Sequence, residues 1–254
     1  MTADHDIQYR RLEAEGGLRD YVQCFWWLHN IGASEKAFVI LPDAHFDLVF
    51  HAEKGGPFIP RLSGLATQTI PCNVASGARL LAVSFALPAA DGIFTQKLAP
   101  LLNAIAPLPE DFWGLGKADF TDLPAFQAAC NRKLKQLVLS RPADSRLIAL
   151  SRLLSQSDGT IPVATLAKQV FWSSRQMNRW FNSRLGLSLK AYADLLRYRA
   201  AFDQLQAKRL YPDRHYADQS HFIKTVKKYS DLTPGEIAQN TNGRFVQLST
   251  LHLS

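Results

Sequence analysis

The chain has 254 residues, 47% of them apolar and 20% charged, with a mean hydropathy of -0.11. That composition excludes a disordered chain and a bundle of membrane spans, and the length suits one large domain or two ordinary ones. The net charge of +7 is uneven: residues 1–159 carry 15 Lys/Arg against 16 Asp/Glu, and residues 160–254 carry 14 against 6.

A nearly neutral first part joined to a basic last part points to a polyanion-binding module attached to something else. No apolar run has the length of a bilayer span, so no membrane is expected. The start, MTADHDIQYRR, has no apolar core behind its charges and does not read as a secretion signal. Cys24, Cys72 and Cys130 lie far apart and are odd in number. They build neither a disulfide framework nor a Cys-x-x-Cys metal site, and a reducing cytoplasm is the expected location.

Residues 21–87 read as short strands. Residues 22–29 and 78–87 are rich in aromatic and branched side chains, residues 38–41 are apolar, and Gly and Pro punctuate the gaps. This spacing predicts a small barrel or sandwich. Between Pro42 and Glu53 the alternation puts Phe46, Leu48 and Phe50 on one face and His45, Asp47, Val49 and His51 on the other. The second face is either solvated or, as His45, Asp47 and His51, a metal site. Of Trp26 and Trp27, adjacent on one strand, at most one can line a ligand pocket. No phosphate loop, nucleophile elbow or catalytic carboxylate pair is present, so no catalytic residue and no cofactor is assigned.

Residues 121–140 carry a helical apolar stripe, with Thr121 or Asp122 as N-cap, and residues 144–155 carry a second. Both either pack on the nearest core or form a homodimer interface. The segment 155–159, Ser-Gln-Ser-Asp-Gly, is the expected linker and coincides with the change in charge.

Beyond it the chain reads as helical. Val163, Leu166, Ala167 and Val170 give a short apolar face, Phe171 and Trp172 a connection, and Ser173 a cap for a helix over 174–184. In that helix Met177, Trp180 and Phe181 face inward, while Arg175, Gln176, Asn178, Arg179, Asn182 and Arg184 face out. A short helix, a tight turn and a second helix with an Arg/Asn/Gln face is the arrangement that major-groove reading needs.

The run LAKQVFWSSRQMNRWFNSRLGLSLKAYADLLRYRAAFDQL, with the later YADQSHFIKTVKKYSDLTPGEI, resembles the DNA-binding domain of bacterial AraC/XylS-type transcriptional regulators. The resemblance covers about residues 160–240. It rests on Leu166-Ala167, on Ser173, Arg175, Met177, Arg179 and Phe181, on Gly186, Ser188 and Tyr192, on Arg197 and Ala200, on 218–222 (DQSHF), and on Thr233-Pro234. It implies two helix-turn-helix units joined by a long helix over about 188–206, double-stranded DNA as partner, and RNA polymerase as a further one. By position, Arg175, Asn178 and Arg179 would read bases from the first unit. Gln219, Ser220, His221 and Lys224 would do so from a second recognition helix over 218–229. Arg184, Lys227 and Lys228 would contact phosphates.

Two departures stand out. Phe171 replaces the usual small glycine of the first turn, which must then avoid a left-handed conformation or be held by packing. The second unit is short: only AKRLYPDRH separates Leu205 from Tyr216, Pro212 interrupts any helix there, and His215 stands where a turn glycine belongs. A loop is expected in place of that unit's first helix. With the tail 242–247 (NGRFVQ), the shortening looks like a subfamily trait. More loosely, 41–50 (LPDAHFDLVF), Gly64 and Val83-x-Phe85 resemble a β-rich sensor domain fused to some of these regulators. That resemblance implies an architecture and leaves any small-molecule effector unnamed.

The expectation is thus an α+β multidomain chain: a β-rich barrel- or sandwich-like domain over 1–120, connecting helices over 121–158, and an all-α tandem helix-turn-helix domain over 159–254. The function expected is sequence-specific DNA binding in transcription regulation. The rival is a metal-binding small-molecule enzyme on the N-terminal β domain.

Overall fold

The computed structural model describes residues 6–211, 216–240 and 244–245. Pro212 and His215, and the tail outside 244–245, lie outside these residues. In chain order come β1 (Ile7–Glu13), β2 (Val22–Asn30), β3 (Lys36–Ile40), β4 (Phe46–Ala52), β5 (Ile59–Ser63), β6 (Ile70–Val74), β7 (Arg79–Phe85), α1 (Ala89–Gly92) and β8 (Ile105–Pro107). The helices α2 (Leu123–Ser140), α3 (Ser145–Gln156), α4 (Val163–Gln169), α5 (Ser174–Leu185), α6 (Leu189–Ala200), α7 (Phe202–Gln206), α8 (Gln219–Ser230) and α9 (Pro234–Gln239) follow. The chain is α+β, with its strands first and its long helices last.

Six strands form an antiparallel sheet in the order β1-β2-β7-β4-β5-β8, and β3 pairs with β6 in a separate two-stranded ribbon. Alternation in β4 is realised as the sequence predicts. Phe46, Leu48 and Phe50 are buried on one face, where Phe50 meets the edge of Phe126 from α2 at 5.6 Å and Phe25 meets it at 6.4 Å. Each such ring contributes about 1.5–3 kcal/mol by leaving water. Asp47, Val49 and His51 occupy the opposite face, where the register sets Asp47 beside Ser84 of β7 and Ser63 of β5.

The two connecting helices begin where an acidic cap supplies an acceptor: Asp122 takes the Ala125 N–H at 2.8 Å and Asp144 the Arg146 N–H at 2.8 Å. Their apolar stripes are spent on the chain's own core. Phe126, Cys130 and Leu134 of α2 and Leu147, Leu150 and Leu154 of α3 are buried in one cluster that runs from Phe25 to Phe222. The segment after α3 closes tightly as well. Gly159 has φ +69°, and a Cβ there would stand 2.2 Å from the Ala193 carbonyl oxygen of α6.

The long helix expected over 188–206 is two helices. Ser188 caps α6 through the Ala191 N–H, and the chain breaks at Ala201 before α7. Helix α7, whose Phe202 and Leu205 are buried, is the end of that expected helix, and residues 207–211 after it carry no helix. At the far end, the chain returns to the β-rich part. Val39 N–H of β3 donates to the Arg244 carbonyl at 2.8 Å, Val39 and Phe245 form a parallel bridge, and Phe245 is only 1% exposed. Strand β3 thus has β6 on one side and this returning segment on the other. Among the described residues, no helix is long and apolar enough to cross a membrane.

Candidate nucleic-acid interface and the cavity behind it

Helices α4 and α5 form the first helix-turn-helix. Ser173 and Gln176 make a reciprocal cap: the Ser173 hydroxyl accepts the Gln176 N–H at 3.2 Å, and the Gln176 side-chain oxygen accepts the Ser173 N–H at 2.9 Å. Met177, Phe181 and Leu185 are buried beneath, and Gly186 ends the helix in a left-handed cap at φ 80°. On the outer face Arg175 and Arg179 are exposed, and neither makes an ion pair or side-chain hydrogen bond among the described residues. Two forked cations held on a capped helix are suited to phosphates or guanine edges.

The turn itself departs from expectation. Phe171 adopts φ 52° and its side chain is 87% exposed, so this bulky residue does enter the left-handed region, and no packing of its ring holds it there. Asn178 has work inside the unit: its side-chain oxygen accepts the Leu189 N–H at 3.2 Å and its amide donates to the Ser174 carbonyl at 3.1 Å. It fixes the start of α6 against α5.

Arg184 requires a correction. In place of facing a phosphate, it is turned toward the β-rich part, where its Nε lies 2.7 Å from Asp91 Oδ1 and its terminal nitrogen donates to the Ala90 and Phe94 carbonyls. Asp91 Oδ2 also accepts the Trp180 indole N–H at 2.7 Å. The backbone adds a third tie, as Leu98 N–H donates to the Arg184 carbonyl at 2.8 Å. Tyr192 of α6 reaches the same part, donating its hydroxyl to the Ala44 carbonyl at 3.2 Å. The geometry engages Arg184 through one ion pair and two carbonyls, the kind of partners that suit a half-buried guanidinium.

In the second unit Asp218 caps α8 by accepting the His221 N–H at 2.7 Å. Phe222, Val226 and Tyr229 are buried, while Gln219, Ser220, Lys224, Lys227 and Lys228 are exposed. His221 is half-buried against Tyr216. Lys228 lies 3.7 Å from Asp194 of α6 and over the Tyr229 ring, whereas Lys227 makes no such contact among the described residues.

Asp47, Val49 and His51 on the polar face of β4 are partly buried, and among the described residues this face gathers no metal ligand set. It floors a cavity of about 370 Å³ between the six-stranded sheet and the β3–β6 ribbon. Trp26, and not Trp27, lines it. Phe38, Ile40 and Ile70 come from the ribbon, and Arg199 and Phe202 reach in from α6 and α7. Among the described residues no three His, Cys, Asp or Glu side chains gather as metal ligands. His45 lies 3.7 Å from Asp43, Asp47 accepts the Ser84 hydroxyl, and His51 lies 3.6 Å from Glu53.

Electrostatics follow from enclosure. Burial, then Arg199, push the His45 pKa down against the pull of Asp43. Burial opposes ionisation of Asp43, but the His45 hydrogen bond and charge, with Arg199, hold its pKa below the usual carboxylate value. Asp47 goes the other way: burial and the Asp43 charge raise it to about 7, despite hydrogen bonds from Ser84 and Trp26. Sequence reasoning missed Asp91, Ser84, Arg199 and Phe202. The β4 alternation and the Trp26–Trp27 pair carry the sequence's signals for the cavity, and nothing local marks these four residues.

Residues 166–240 match a family described as "Helix-turn-helix domain", HTH_18, and residues 10–107 match "Domain of unknown function (DUF6597)". No curated protein matches the chain. Among solved structures, the apo form of a ToxT variant from Vibrio cholerae is 9% identical with a TM-score of 0.42, covering 92% of this chain and 97% of its own. A ToxT structure at 1.65 Å from the same organism is 8% identical with a TM-score of 0.39, covering 92% and 98%.

Proposed function

We propose that the chain is a DNA-binding transcription regulator of the AraC type, on the strength of the helix-turn-helix match over residues 166–240, and that it reads DNA in the following way. Arg175 and Arg179 contact base edges from α5, and Gln219, Ser220 and Lys224 do so from α8. Asn178 and His221 position their units, with any base contact secondary. Lys227 and Lys228 bind phosphates. The observation that carries this is the outer face of α5, where two exposed arginines have no partner among the described residues while the inner face is sealed.

The test is binding of the full chain to genomic fragments selected by affinity, then to random duplex. Arg179→Ala should cost roughly 1–3 kcal/mol on the selected site and relax preference at one base pair. An equal loss on random duplex would make Arg179 a phosphate contact.

The cavity is the proposed effector site of the same regulator. It has the size of small-molecule sites, and two of its wall residues, Arg199 and Phe202, belong to the helices between the two DNA-reading units. A ligand that contacts them can bias how α5 and α8 are presented, to the extent that it binds one arrangement better than another. The proposal extends to a second copy of the chain and to RNA polymerase as partners, for which sedimentation and transcription in a purified system are the measurements.

A further inference from the structure

Three arginines and two aspartates border the cavity, yet one of the aspartates, Asp47, has no cation beside it among the described residues. Of the cations that border it, Arg11 is paired with Glu13 at 3.0 Å, and Arg61 is exposed. Arg199 acts on Asp43 and His45. The two histidines do not supply a charge at neutral pH, since burial lowers the pKa of both His45 and His51. That leaves Asp47, in the middle of the sheet floor. Its side chain accepts the Ser84 hydroxyl, itself held by the Trp26 indole N–H at 3.1 Å. No basic group stands within 4.0 Å of it among the described residues, although a carboxylate has room for about four donors.

Around it the walls are largely apolar and aromatic: Tyr9, Trp26, Phe38 and Phe202 all border the space. A partly buried carboxyl without a counter-charge stands beside these aromatic faces, half ionised near pH 7 and drawn fully to the carboxylate by a cation. It is the complement of an ammonium group carried on an apolar body. The carboxylate supplies charge-assisted hydrogen bonds and the rings supply cation–π attraction.

We propose that the cavity binds a small organic amine, with its ammonium group at Asp47 and its apolar or aromatic body against Trp26 and Phe38. This rests on the cavity being the effector site. The ligand completes a hydrogen-bonded row from Trp26 through Ser84 to Asp47 and abuts Phe202 and Arg199 at the end formed by α6 and α7.

Calorimetric titration of the full chain tests it with two probes of equal length, 2-phenylethylamine and 3-phenylpropanoate. The amine should bind and the carboxylate should not. Asp47→Asn should weaken the amine at least tenfold while circular dichroism and thermal unfolding show an intact fold. Overturning results are two: 3-phenylpropanoate binding as tightly as the amine, with Arg199→Met abolishing it, or no heat from arylalkylamines of one to four methylenes at about 10 mM, where a millimolar site would fill. A separate measurement isolates the effector reading: Val49→Trp, which fills the cavity, should change affinity for the selected DNA. A change with Val49→Trp but no amine binding keeps the effector site and removes the amine. No change in a folded Val49→Trp protein removes the effector reading as well.

Discussion

Asp91 and Arg184 meet across the boundary between the β-rich part and the first recognition helix, Nε to Oδ1 at 2.7 Å, and the same carboxylate accepts the Trp180 indole N–H on its other oxygen. One short helix, α1, therefore holds two residues of α5. Asp91→Ala should cost about 1–2 kcal/mol in urea unfolding, toward the low end for charged hydrogen bonds because the carboxylate is a third exposed. Amide exchange should quicken in α5 and around residues 98–101 and stay unchanged in α8. Unchanged exchange throughout would mean that the backbone ties alone fix α5.

Because Arg184 is engaged in this way, its removal and that of Lys227 should differ in kind. If about five phosphates are neutralised, the plot of log affinity against log salt has a slope of about -4 to -5. Lys227→Ala should make it shallower by about 1, whereas Arg184→Ala should leave it unchanged and lower thermal stability. A shallower slope in Arg184→Ala would show that the side chain leaves Asp91 for DNA.

Asp47 should make the ligand-free protein less stable as pH rises. Its carboxyl ionises near 7 when folded, against 3.8 for the ordinary group, so the folded state keeps a proton that the unfolded state has lost. Stability from this group is full below pH 4, falls between pH 4 and 7, and levels off above. Asp47→Asn should abolish that loss, gaining on the order of 4 kcal/mol at pH 8 and close to nothing at pH 4, as read from paired denaturant titrations.

Phe171 holds φ 52° with its ring in water. A left-handed L-residue costs about 1–2 kcal/mol, and glycine returns part of that through its freer unfolded chain. Phe171→Gly should therefore stabilise the protein by roughly 1 kcal/mol in thermal unfolding. Destabilisation would assign the ring a contact inside the fold.

What the sequence disclosed was local. Ser173 and Gln176 are three residues apart, and Asp122 lies beside its helix, so both caps are visible without any tertiary knowledge. The alternation in β4 needs only its own seven residues. Strands β5 and β6 are hard to read from sequence because Pro60 and Pro71 sit inside them and their faces are only partly buried. The polar face of β4 suggested solvent or metal, since its true neighbour is a cavity assembled from β3, β6, α6 and α7. From sequence Arg184 looks like a phosphate ligand for the same reason: its partner, Asp91, is remote in sequence, and an outward arginine on an amphipathic helix looks free until the surface opposite is known.

The pairing of Val39 with the backbone at Arg244 and Phe245 bears on how the molecule is made. As the ribosome delivers the polypeptide, the β-rich part emerges long before the segment that borders its third strand, so that strand waits with an open edge until residues 244–245 have been synthesised. Maturation of the β-rich part is thereby made conditional on synthesis of the helical part that follows it, and a nascent fragment stalled after α6 would present β3 as a site for mispairing or chaperone capture.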